Sequence, residues 1–303
     1  MKTTGMFLVA ASALVLAACA QSTTPDAADT QVAEPAVETN AVDAEQPTGD
    51  AASTDMADSD MPELCEGFGP QTPRDIADPT GTNTVMFPMA PAPAELNLCN
   101  IHSHTHAEHK APGFSVKATD SYGGYRCNET EDLTDAELTP IAGDPAFGNV
   151  KPGDTIEVHW VYSSCDVSPG EGLGSCLTET CTDPLLRVEA QAFLLVNDPD
   201  ALDFRDFAYG ETVRDGRHQP MSLPAGTGDP VVFRGSTTGP SYTQQECSPL
   251  QVTWSVRPQC AKLDINSLHA WAADGNVFNE TDSHGVRDLV TAPPLLSQIE
   301  AVE

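Results

Sequence analysis

The sequence predicts a mainly β (α+β) fold: one sizeable sheet accompanied by a few short helices. Runs rich in β-branched and aromatic residues recur at Thr155–Tyr162, Leu186–Val196, Val231–Phe233 and Leu250–Val256, as strands require. Gly, Pro, Asn and Asp punctuate these runs and mark turns. No stretch sustains the three-and-four spacing of a long amphipathic helix.

The N-terminal elements are of another kind. Met1-Lys2, the apolar run from Met6 to Leu16, and Ala17-Ala18-Cys19 have the charged, apolar and small-residue regions of a signal peptide over residues 1–18. Cys19 after Leu16-Ala17-Ala18 resembles a bacterial lipobox, which implies a lipoprotein with Cys19 lipidated as its first mature residue. Ala20 rather than Asp at the next position favours the outer membrane, facing the periplasm. Without the lipid, the product is periplasmic or secreted. Residues 19–61 consist largely of Ala, Asp, Glu, Thr and Pro, with no aromatic residue and no Lys or Arg. Such a segment buries too little apolar surface to offset its ordering entropy, so it reads as a disordered acidic tether. Much of the net charge of −31 sits in and around it. A pI near 4.2 argues against nucleic acid as a partner.

Residues 62–303 read as one domain, with no second linker and no internal repeat. Apart from Cys19, the cysteines are Cys65, Cys99, Cys127, Cys165, Cys176, Cys181, Cys247 and Cys260. An even set in an exported chain points to up to four disulfide bonds. Their pairing is not legible from spacing.

The chemistry concentrates in His102-Ser103-His104-Thr105-His106-Ala107-Glu108-His109. On an extended strand, residues two apart share a face about 6.6 Å apart. His102 with His104, or His104 with His106, therefore converges on one metal ion. A catalytic zinc takes three protein ligands and keeps a position open. The third ligand is sought in Thr155-Ile156-Glu157-Val158-His159-Trp160. There, alternation puts Glu157 and His159 on one face and Ile156, Val158 and Trp160 on the other, the pattern of a half-buried strand.

These residues resemble a family. Asn100-Ile101-His102-Ser103-His104 followed by Ala107-Glu108-His109 is similar to the first metal motif of delta-class carbonic anhydrases: His-x-His, two residues, then Ala-Glu-His. In that motif His102 and His104 take the ligand positions and His106 does not. Glu157-Val158-His159 is similar to the Glu-x-His segment that supplies the third ligand in the alpha class. Arg234-Gly235-Ser236-Thr237-Thr238-Gly239-Pro240, with Val252-Thr253-Trp254-Ser255-Val256, is similar to the alpha-class gatekeeper and pocket segment, and Thr238 matches the gatekeeper.

The resemblance implies a large, twisted, mostly antiparallel sheet and a zinc carbonic anhydrase, a lyase hydrating CO2 reversibly to bicarbonate and a proton. Zn2+ on three neutral imidazoles lowers the pKa of a bound water from 15.7 to about 7, and the zinc-bound hydroxide attacks CO2. By the same resemblance, Thr238 and Glu108 orient that hydroxide and act as the catalytic pair. Glu157 accepts the far N–H of His159, and His109 plays an outer structural part. His106, His109 and His218 are candidates for moving protons; His269 and His284 fit core or hydrogen-bonding roles. Two departures stand out: Gly239 replaces the second alpha-class Thr, and a long insertion containing Cys127 separates Glu108 from His159, which suits the delta class better. The alternative is a periplasmic metal-buffering lipoprotein that uses the His tract without catalysis.

Overall fold

The computed structural model describes residues 63–299 except 144, 240, 241 and 287–289. The signal peptide and lipidated Cys19 expected within residues 1–19, and the tether expected at 19–61, lie outside the described residues. Among the described residues no helix is long and apolar enough to cross a membrane.

The chain forms β1 (Asn97–Thr105), β2 (Val116–Lys117), β3 (Tyr125–Arg126), β4 (Thr155–Ser163), β5 (Leu186–Val196), β6 (Val213–Arg214) and β7 (Arg217–His218). It continues through β8 (Val231–Ser236), β9 (Gln251–Val256), β10 (Ala261–Asp264), helix α1 (Ile265–Ala273) and β11 (His284–Gly285). Each of the four strand-like runs becomes a strand of one seven-stranded mixed sheet, ordered β11-β1-β4-β5-β9-β8, with β10 also on β5. The longest ladders, β1·β4 and β4·β5, are antiparallel. β9 runs parallel to β5 over Leu186–Ala190, and β10 takes up the same role over Phe193–Val196. The long β5 thereby receives two short partners.

Both faces of this sheet are covered. Ile156, Val158, Trp160 and Tyr162 of β4 pack with Phe193 and Leu195 of β5, and with Phe204, Phe207 and the α1 residues Ile265, Leu268 and Trp271. Val161, Val188, Ala190, Ala192, Val252, Trp254 and Val256 form a second core on the opposite face with Ile76, Phe114 and Phe233. All nine residues of β4 are buried, so the expectation of a half-buried strand there is corrected. Its polar residues alternate outward from the first core, but they point into a covered site rather than into water. α1 starts at Asp264, whose carboxylate accepts from Asn266 N–H, and ends before Gly275 at φ +75°. That conformation suits glycine and closes the helix.

Four disulfides pair the eight cysteines: Cys65–Cys247, Cys99–Cys176, Cys127–Cys260 and Cys165–Cys181. Two of them pin the excursion between β4 and β5, one of these to β1 itself. Leu195 is fully buried in the first core. Leu195→Ala is therefore expected to destabilise the chain by about 2–5 kcal/mol through lost transfer energy and a residual cavity. Guanidinium unfolding of the oxidised protein checks this as a lower midpoint with an unchanged slope.

Candidate metal centre

β1 carries a bulge. Leu98 pairs with Tyr162 and Asn100 with Val161, leaving Cys99 as an extra residue. Because side chains alternate with period two, one inserted residue exchanges the faces. Leu98 and Ile101 consequently reach the same core, while Asn100, His102 and His104 all turn to the other face. There they meet β4, on which His102 lies directly opposite His159 and His104 opposite Glu157.

One ligand atom from each of His102, His104 and His159 lies within 4.8 Å of the others. His102 Nε2 and His159 Nδ1 are 3.3 Å apart. The protons of these two rings can be assigned from their other partners. Asn100 Oδ1 accepts from His102 Nδ1–H at 2.7 Å, and Glu157 Oε2 faces His159 Nε2 at 3.5 Å. In those tautomers both facing nitrogens present lone pairs toward each other, as two ligands of one cation do. Bonds of about 2.0–2.1 Å at a tetrahedral angle place two nitrogens about 3.3–3.4 Å apart. Burial, aided by the neighbouring imidazoles, pushes His102 and His104 well below the ordinary histidine range. They are therefore neutral, the form that binds a metal. The donor set fits one divalent ion.

Glu157 anchors the far side. It is fully buried. Burial opposes its ionisation, but His109 and His159 outweigh that and hold its carboxyl well below the usual carboxylate range. His109 Nδ1–H donates to Oε1 at 3.0 Å, and the Glu108 backbone N–H donates to Oε2 at 2.6 Å. The His109 ring lies edge-on to Trp254, with centroids 4.7 Å apart. Glu157 thus holds His159 from one side and the Glu108–His109 corner from the other. The corner is also tied to β3: Ala107 and Tyr125 exchange backbone bonds of 2.8 and 2.9 Å. That approach requires Gly124, since a Cβ there would fall 2.5 Å from the Ala107 carbonyl oxygen. His104, Glu108, Glu157 and His159 form a second compact grouping. The bonds that Glu157 accepts leave it better suited to orienting His159 than to binding an ion.

The three imidazoles open into a cavity of about 380 Å³. Val161, Leu186, Val188, Val252 and Trp254 make one wall, and Glu108 and Thr238 also line it. Gly172 and Leu173 line it too, on the segment that Cys99–Cys176 staples to β1.

The remaining histidines distribute as follows. His106 leaves the strand at φ +66°, and its Nε2 bonds Asp120 Oδ2 at 2.8 Å, so it does not pair with His104 on the ion. His109 is sealed beside Glu157, and His218 pairs with the Tyr209 hydroxyl at 2.7 Å. None of these three proton-transfer candidates lines the cavity. His269 is buried, with Nδ1 accepting from Phe147 N–H at 3.1 Å. The core or hydrogen-bonding role expected for His284 is corrected. It is exposed at the cavity, its ring centroid 5.1 Å from that of His104, because β11 pairs in parallel with β1 and sets the two residues side by side. Sequence reasoning also passed over Asn100, although its position two residues before His102 placed it on the same face. For Glu280 and His284 no local spacing gave a signal.

The family model for delta carbonic anhydrase matches residues 93–267, more than half of the chain. No curated protein matches. Among solved structures, an alpha-carbonic anhydrase from Photobacterium profundum aligns at 17% identity over 71% of this chain and 85% of that one. Its TM-score is 0.24.

Asn100 fixes the His102 tautomer. Asn100→Ala is expected to weaken metal binding about 10–100-fold, as loss of an outer hydrogen bond to a ligand does. Competition against a chromophoric chelator measures the effect.

Proposed function

The chain belongs to the delta carbonic anhydrases, and on that premise we propose that the His102–His104–His159 centre uses zinc to hydrate CO2 reversibly to bicarbonate and a proton. The observation that carries this reading is the convergence of one ligand atom from each of the three imidazoles within 4.8 Å beside an apolar wall in the same cavity. Zinc, when bound, supplies the positive charge that makes water acidic near neutral pH.

The residues divide the remaining work. Val161, Val188, Leu186, Val252 and Trp254 offer CO2 an apolar berth and exclude competing water. Thr238 and Glu108 line the same cavity, and in this reading the Thr238 hydroxyl gives its hydrogen to the Glu108 carboxylate and keeps its oxygen as an acceptor toward the cavity. That directs the hydrogen of the attacking oxygen away from CO2. Glu108 also lies 3.7 Å from His104 Nδ1. Glu157 raises the basicity of His159 and holds its ring orientation. The metal-buffering alternative draws no support from this geometry, because His106 is turned onto Asp120 instead of adding a fourth imidazole. CO2 and bicarbonate are the small-molecule partners in this proposal. The lipid at Cys19, and with it a place in the cell envelope, extends the proposal from the leader residues.

His159→Ala is expected to lose stoichiometric zinc and nearly all CO2 hydration, read by stopped-flow with metal analysis. Rates and zinc content equal to wild type would remove the catalytic reading. Thr238→Val is expected to retain one zinc while hydration falls about 10–100-fold, the range for an outer orienting group.

A further inference from the structure

We propose that Glu280 takes up the proton released by CO2 hydration inside the cavity and delivers it to buffer at the mouth. The inference rests on the reaction proposed above. Glu280 stands four positions before His284, on the segment that leads into β11, and lines the same cavity as the three imidazoles. Its backbone is held at both ends: Asn276 Oδ1 accepts from Glu280 N–H at 3.0 Å, and Asn276 Nδ2–H donates to the Glu280 carbonyl at 2.9 Å.

The carboxyl group is placed by the strand that bears two of the imidazoles. β11 covers β1 at His104 and Thr105, which leaves the Ser103 amide at an open sheet edge. Ser103 N–H donates to Glu280 Oε1 at 2.7 Å, and Ser103 Oγ–H at 3.2 Å. Both bonds fall on Oε1, so Oε2 remains to carry a proton. Ser103 sits between His102 and His104, and this fixes the acid beside the centre without making it a ligand.

The surroundings suit exchange near neutrality. Burial, with a smaller push from Asp282, raises the Glu280 carboxyl to about 7 against the two Ser103 bonds. An acid whose pKa lies near the working pH both accepts and releases a proton readily. The titratable groups around it are Asp282 on its own segment, His102 and His104 on β1, and His159 on β4. His284 on β11, together with Glu108 and Glu171 on the cavity wall, completes those among the described residues. No Lys or Arg occurs among the described lining residues. In the transfer, an O–H bond of the reacting water breaks and, through cavity water, an O–H bond forms on Oε2. That bond then breaks as a buffer base takes the proton and restores the carboxylate.

The test uses the zinc-loaded full chain with Glu280→Gln, which keeps an acceptor for the Ser103 amide, and Glu280→Asp. In weak buffer, kcat of the Gln variant is expected to fall about tenfold or more, within the range for loss of acid–base help. Its kcat/KM for CO2 and its zinc content should stay near wild type, and added imidazole should restore kcat. The Asp variant should recover part of kcat. Independently of turnover, isotope-edited infrared spectra of the metal-free protein should show a carboxyl band titrating near pH 7 that is missing in the Gln variant. Unchanged kcat, a parallel fall of kcat and kcat/KM without rescue, or titration only in the ordinary range near about 4.3 would overturn the role. A zinc-loaded wild type that hydrates no CO2 would overturn the proposed reaction and this role with it. An active wild type beside an equally active Gln variant would overturn this role alone.

Discussion

β1 and β4 meet in a register that sets His102 against His159 and His104 against Glu157. Every property of the centre follows from that pairing. Slipping β4 by one residue would present Val158 and Ile156 to the imidazoles and carry Glu157 and His159 into the apolar core. The bulge at Cys99 is the second half of the same constraint. It allows Leu98 and Ile101 to share one core while the polar residues after it stay in phase with β4. The register is defended by burial on both faces, because any slip would desolvate a carboxylate and an imidazole without partners.

Glu157 shows how the site manages a buried charge. A carboxylate without water is tolerated only when its oxygens are taken up by donors. Here Oε1 receives His109, and Oε2 receives the Glu108 amide with His159 behind it. The result is a chain of interactions running from His109 and its contact with Trp254 to the face of His159 that would meet the ion. The apolar wall and the metal-facing nitrogen are therefore parts of one packed unit. Trp254 lines the cavity and also bears on the His159 ring, 5.1 Å between centroids.

What the sequence showed and what it hid separate along physical lines. β4 and β5 were legible because their apolar alternation is local, and Leu186–Val196 needed no adjustment. His102, His104 and His159 were legible because each falls in a short spaced motif on a strand. The full burial of β4 was not legible, since it depends on a second core assembled from segments as distant as Ile76 and Phe233. His284 and Glu280 were hidden for the same reason: a two-residue strand, placed by a parallel pairing with β1, has no periodicity to read. Asn100 was within reach of the alternation rule, but an amide beside a histidine tract draws less notice than the imidazoles do.

The cysteines bear on which element the centre can hold. Thiolates are stronger competitors for soft and borderline ions than neutral imidazoles are. Reduced, the described residues would offer eight of them, one only three residues ahead of His102. Joining Cys99 to Cys176, and the other six among themselves, withdraws every such rival among the described residues before the nitrogens are asked to choose. Sulfur oxidation in this molecule is thus a matter of elemental selectivity as much as of mechanical bracing.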